Sequence, residues 1–134
     1  MIKLCFKEYD IKFSLEASKS FRKSTGEDLA FVLSRLLECW RESKGLNYRQ
    51  RINDTYSVCD FELAASVFFY LIRGSGKNVD MQEIEDAMFR VGIFPNDIDN
   101  EWCLPWPVIL RKVAEDIEKD FYEDLPRKKS DIVG

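Results

Sequence analysis

No histidine occurs in this 134-residue chain. That absence removes Ser-His-Asp and Cys-His catalysis, histidine-ligated zinc and the one side chain that ordinarily titrates near neutrality. Carboxylates, Lys or Tyr can act alone, so an enzyme is disfavoured by this count rather than excluded, and the expectation is a non-catalytic protein without cofactor or metal. Cysteine is sparse as well: Cys5, Cys39, Cys59 and Cys103 stand far apart, with no CxxC. Scattered thiols of this kind behave as small buried hydrophobes in a reducing compartment. No run approaches the roughly 18 apolar residues of a membrane span, and Met1-Ile2-Lys3-Leu4-Cys5-Phe6-Lys7 lacks the apolar core of a signal peptide. These absences point to a cytoplasmic chain, with no membrane as its partner.

What is present suits one small globular domain: 46% hydrophobic and 33% charged residues, with a formal charge of −4. Residues 1–57 carry 11 basic and 8 acidic groups, whereas 58–134 carry 9 basic and 16 acidic. Phosphate binding needs clustered Lys and Arg, so an acidic second half argues against nucleic acid.

Periodicity gives the elements. Ile2, Leu4 and Phe6 alternate with Lys3, Cys5 and Lys7, and Ile11 and Phe13 resume the pattern after Glu8-Tyr9-Asp10. This predicts a β-hairpin with its break at residues 8–10. Ser14 caps a short helix that Gly26 stops. Leu29, Val32, Leu33, Leu36, Leu37 and Trp40 form a helical stripe that starts at Thr25 or Gly26 and ends at Gly45. Residues 46–57 show no clean period and read as a long connection. The segment Phe61–Ile72 is apolar nearly all round and reads as a buried central helix. Its consecutive Phe68-Phe69-Tyr70 cannot all face one core, since each helical step turns about 100°. Either the helix is enclosed or one face meets a partner. Asp80-Met81-Gln82-Glu83 reads as an acidic capping box with a Val79–Ile84 staple, and Gly92 stops the helix it opens. Pro105 and Pro107 pre-set a last helix with Ile109, Val113, Ile117 and Phe121 on one face and acids on the other. The fold expected is mainly α, about five helices and a small N-terminal β-hairpin in one domain over 1–125, with a flexible polar tail over 126–134.

Three motifs fall short of chemistry. Gly74-Ser75-Gly76-Lys77 resembles the end of a phosphate loop, but Leu71 stands where Gly is needed and Asn78 where Ser or Thr is needed. Asp97-Ile98-Asp99-Asn100-Glu101 resembles the start of a calcium loop, yet Trp102 replaces its Gly and Val108 its closing Glu. The acids of the last helix lack the burial that separates a catalytic pair, and read as a solvated face or a docking strip for a basic partner.

In order, the opening strand Ile2–Phe6, the junction Phe21-Arg22-Lys23-Ser24-Thr25-Gly26-Glu27-Asp28-Leu29, the apolar helix 60–72 and the helix start Val79-Asp80-Met81-Gln82-Glu83-Ile84-Glu85-Asp86 resemble the tail assembly chaperones of long-tailed bacteriophages (siphophages). The resemblance spans about residues 2–122. It implies a non-enzymatic protein of the host cytoplasm that coats the long helical tape measure protein before the tail tube polymerises. It also implies self-association, and a longer form, made by frameshifting near Lys128-Lys129, that reaches the tail tube protein. Helix-in-groove binding requires an apolar lining, for which Leu33, Leu37, Trp40, Phe68, Phe69 and Met88 are the candidates, though each also suits a plain core. Two rival expectations are a virion head–tail connector and a helix–turn–helix regulator built on the Thr25-Gly26 junction. The second is weakened by the mixed charges Glu27, Arg35, Glu38, Arg41 and Glu42 on its would-be recognition helix.

Overall fold

Short polar side chains just ahead of apolar segments set where the helices begin. In the computed structural model, which describes residues 1–93 and 101–124 (122–124 by backbone only), Ser14, Asp28, Asn47 and Asp60 are all N-caps. Each accepts a backbone N–H three residues on, at 2.9–3.1 Å, satisfying a donor the helix cannot use. They open α1 (Leu15–Thr25), α2 (Leu29–Glu42), α3 (Tyr48–Val58) and α4 (Phe61–Gly74). Gly26 ends α1 at φ +78°, a left-handed cap that favours glycine. Asp28, not Thr25 or Gly26, caps α2, and that helix stops at Ser43, before Gly45.

Residues 46–57 are mostly helix rather than loop. Asn47 and Gln50 form a reciprocal capping box, and Ile52 and Thr55 face inward. Only two buried residues on α3 leave almost no apolar period to read, so the cap outweighs the pattern. This sixth helix is an addition to the five expected.

The hairpin turns earlier than its alternation suggests. β1 (Ile2–Leu4) pairs antiparallel with β2 (Lys7–Tyr9), Leu4 opposite Lys7, leaving Cys5-Phe6 as a two-residue loop. Both loop residues have positive φ, 50° and 64°, as a type I′ turn demands. Phe6 therefore points to solvent instead of joining Ile2 and Leu4, while its N–H donates to the Trp102 carbonyl.

α5 (Met81–Val91) and α6 (Trp106–Asp124) complete the order. Asp80 stands at the N-cap of α5 but makes no side-chain cap bond, so the expected capping box is absent. Glu83 turns instead to the hairpin, accepting from Tyr9 Oη at 2.6 Å and Lys7 Nζ at 3.0 Å. α6 begins where the Pro105 carbonyl accepts the N–H groups of Val108 and Ile109. Pro107 costs nothing in that first turn, where N–H groups have no helical partner.

The helices form two groups. α1 and α5 pack on α4; α3 and α6 pack on α2; β1 touches both α5 and α6. Phe68, Phe69, Leu71 and Ile72 are all buried and Tyr70 lies edge-on to Phe21, so α4 is enclosed. Trp106, buried, joins the groups through Tyr56 of α3 and Phe61 of α4 at 5.9 and 6.0 Å between ring centres. Among the described residues no single helix is long and apolar enough to cross a membrane. The calcium-loop-like Asp97–Asn100, the side chains of Tyr122 and Leu125, and the tail 126–134 with Lys128-Lys129 lie outside the described residues.

Candidate partner-binding groove

On α2 the stripe Leu29, Val32, Leu33, Leu36 and Leu37 is buried, while the neighbouring Ala30 and Ser34 are exposed. On α6, Val113 and Ala114 are buried, Ile117 is half-buried and Phe121 is 54% exposed. Where the two helices meet, Ala30, Ser34 and Ala114 are too small to fill the space between them. The result is an open groove of about 290 Å³ lined by Phe13, Ala30, Leu33, Ser34, Leu37, Ala114, Ile117, Glu118 and Phe121. All but Ser34 and Glu118 are apolar. A second hollow of about 220 Å³ shares Phe13, Ile117 and Phe121 and adds Met1, Ile11, Lys12, Asp116 and Asp120. The apolar floor thus continues past the two phenylalanines toward the N-terminus.

Phe13 reaches this position because the chain before α1 is laid along the end of α4. Lys12 N–H donates to the Leu71 carbonyl at 2.9 Å, and Gly74 leaves room for that approach. Gly74-Ser75-Gly76 serves this close contact and the helix end. The N–H groups of Ser75 and Gly76 donate to Ile72 and Arg73 carbonyls, so they are not free to cradle a phosphate.

One rim of the groove is tied. Arg41 of α2 donates to Glu118 of α6 at 2.7 Å. Farther along, two guanidinium groups lie over the Trp40 ring, Arg51 at 3.7 Å and Arg111 at 4.9 Å from its centre. Arg51 also donates to the Trp40 carbonyl at 2.8 Å and to Ser43 Oγ at 3.1 Å, joining α3 to the end of α2.

Of the six residues singled out by sequence, the groove brings together Leu33 and Leu37. Both are mostly covered, at 4% and 5% exposure, so they form its floor. Trp40 is part of the arginine stack and does not line the groove. Phe68 and Met88 have no exposed surface, and Phe69 is buried beneath Arg73. These three are core: α1 and α5 cover the two phenylalanines on α4, and Met88 is on the buried face of α5 that packs on α4. Sequence reading missed Phe13, Ala30, Ser34 and Ala114 as lining. The available signal was small residues interrupting two facing apolar stripes.

The other hollows are mixed in character. One of about 320 Å³ sets Lys3, Glu8, Glu101, Lys112 and Asp116 around Met1, Ile2, Leu104 and Ile109; Glu101 is also the salt-bridge partner of Lys3. Another of about 570 Å³ lies along α1 and the end of α4, with Glu16, Ser20, Lys23 and Arg73. No group of three or more Cys, Asp or Glu side chains among the described residues is placed to hold a metal. Burial raises the Cys59 thiol to about 12, and burial also raises the Cys39 thiol. On α2, Arg35, Glu38, Arg41 and Glu42 alternate in sign on the exposed side, the mixture anticipated from sequence. Comparison with protein-family models, curated proteins and solved structures finds no match for this chain.

Proposed function

We propose that this protein is a non-enzymatic assembly chaperone that shelters the apolar stripe of a long helical partner in the groove between α2 and α6. The observation that carries the reading is the groove itself: an open, largely apolar trough bordered by charge on an otherwise closed helical core. Its length suits one contact patch on a helix. Ala30 to Leu37 spans about 10 Å, two turns, enough for residues at i, i+3 or i+4, and i+7 of a bound helix. An extended amphipathic helix alone in water exposes such a stripe along its whole length and aggregates. Many small proteins with one groove each can cover it and later be displaced.

The resemblance in the sequence names the partner as a tape measure protein and the setting as siphophage tail assembly. The experiment is co-expression with the long helical protein encoded downstream. The wild-type chain is expected to keep that protein in the soluble fraction. Ala30→Trp, which fills the groove from an exposed position, is expected to fold normally and fail to do so. A downstream protein equally soluble with and without this chain contradicts the proposal.

A further inference from the structure

We propose that the groove between α2 and α6 is covered in cis by the last residues of this same chain, 126–134, with Ile132 and Val133 seated on its floor until a partner helix displaces them; this rests on the groove being the partner site. The path of α6 brings that segment to the groove. Arg111 lies over Trp40 near the end of α2. Farther along α6, Phe121 lines the groove together with Ala30 at the start of α2, so the two helices run antiparallel. The described chain ends at Asp124, less than one turn beyond Phe121, and Leu125 and Pro126 follow directly. Proline has no N–H and disfavours helix in the residue before it, so α6 is not favoured to run on past the groove.

Length and side chains fit a strap laid back along α6. Eight residues separate Asp124 from Ile132, an extended reach of about 26 Å. Returning from Asp124 to the level of Ala114 takes about 15 Å, so the segment spans the groove with chain to spare for its turn. Residues 127–131 are all polar and stay in water along such a path, while Ile132 and Val133 are the apolar pair at its far end. On the floor they would meet Leu33, Leu37 and Ile117, where Ala30, Ser34 and Ala114 leave space. A tethered segment acts at an effective concentration on the order of millimolar, so a contact of two side chains suffices to compete. The cover keeps an apolar surface from drawing copies together, and it yields to a partner helix that presents more side chains to the same floor.

The test compares the full chain with the double variant Ile132→Ser and Val133→Ser, two positions beyond α6. A synthetic amphipathic helix of about 18 residues, about 27 Å long and carrying one leucine stripe, is titrated against each and read by fluorescence anisotropy. The double variant is expected to bind it about tenfold more tightly, the change for a groove that its own chain covers about nine-tenths of the time. Without peptide, amide shifts of the ¹⁵N-labelled chains should differ at Ala30, Ser34 and Ile117, equally at every protein concentration. Equal affinity, or groove amides that do not move on the substitution, overturns the cis cover and leaves the groove reading standing. Differences that grow with protein concentration put the segment in a second copy's groove and overturn the cis cover too. Peptide binding that survives Ala30→Trp, or no binding by either chain, overturns the groove reading itself.

Discussion

Replacing Gly74 by alanine sets two principles against each other. Helix propensity alone favours alanine by about 1 kcal/mol in a helix interior, and less at the last residue of α4. The structure predicts the opposite sign. A Cβ on Gly74 would stand 2.5 Å from the Lys12 carbonyl oxygen and 3.3 Å from Ala17 Cβ. The first contact is to backbone, which cannot rotate away, so the segment before α1 must move by several tenths of an ångström. Overpacking of this kind costs about 1–3 kcal/mol. Moving Lys12 also loosens its hydrogen bond to the Leu71 carbonyl, worth about 1 kcal/mol. The net expectation is a loss of about 2 kcal/mol, a Tm lower by roughly 6–10 °C for a domain of this size. Thermal unfolding by circular dichroism, repeated in urea with the slope compared, reads it directly. Because Phe13 rides on the same segment, Gly74→Ala should also weaken peptide binding at the groove. A variant as stable as wild type, or more so, refutes the reasoning.

Other expectations follow from single contacts. Hydrogen bonds from Tyr9 and then Lys7 hold the Glu83 carboxyl below the usual carboxylate range. The stabilisation is therefore full above the unfolded value of about 4.3 and is lost as pH falls through the lower folded value. Glu83→Gln should lose about 1 kcal/mol at neutral pH, discounted because the side chain is more than a third exposed, and should flatten the acid limb of a stability–pH curve. An unchanged limb contradicts this. Arg51→Lys keeps the charge but not the planar stack on Trp40 or the two-point bond to Ser43 and the Trp40 carbonyl. A loss of about 1–2 kcal/mol in urea unfolding is expected, and a neutral result would show that charge alone suffices. Cys59, fully buried with its thiol raised to about 12, should resist a thiol reagent at pH 8 until urea unfolds the chain. Labelling at the speed of a free thiol contradicts that placement.

The helices with a clear apolar period were legible from sequence because burial on one face writes itself into the spacing of Leu29–Leu37 or of Ile84, Ala87, Met88 and Val91. α3 was not, since it buries only Ile52 and Thr55 fully and its other core contacts, Tyr48, Tyr56 and Val58, are partly exposed among polar residues. Nor was the hairpin turn, where two non-glycine residues adopt positive φ against their local preference. Glu83 followed the capping pattern in sequence but found Tyr9 in space, a partner 74 positions away. The groove is harder still to read. Leu33 and Leu37 look the same on a helical wheel whether they floor a trough or fill a core. What distinguishes them is small size at Ala30, Ser34 and Ala114 on two helices, together with a loop that brings in Phe13. Phe68, Phe69 and Met88 show the converse, since α1 and α5 cover the two phenylalanines on α4 and α4 covers Met88 on α5.

Amide chemical shifts of the ¹⁵N-labelled chain, followed as an amphipathic helical peptide is added, map where a partner helix sits. The shifts are expected to gather on Ala30, Ser34, Leu37, Ile117 and Phe121, with α5 unmoved. Shifts confined to another apolar surface, such as that around the 81% exposed Phe89, with the α2–α6 residues unchanged, would contradict it.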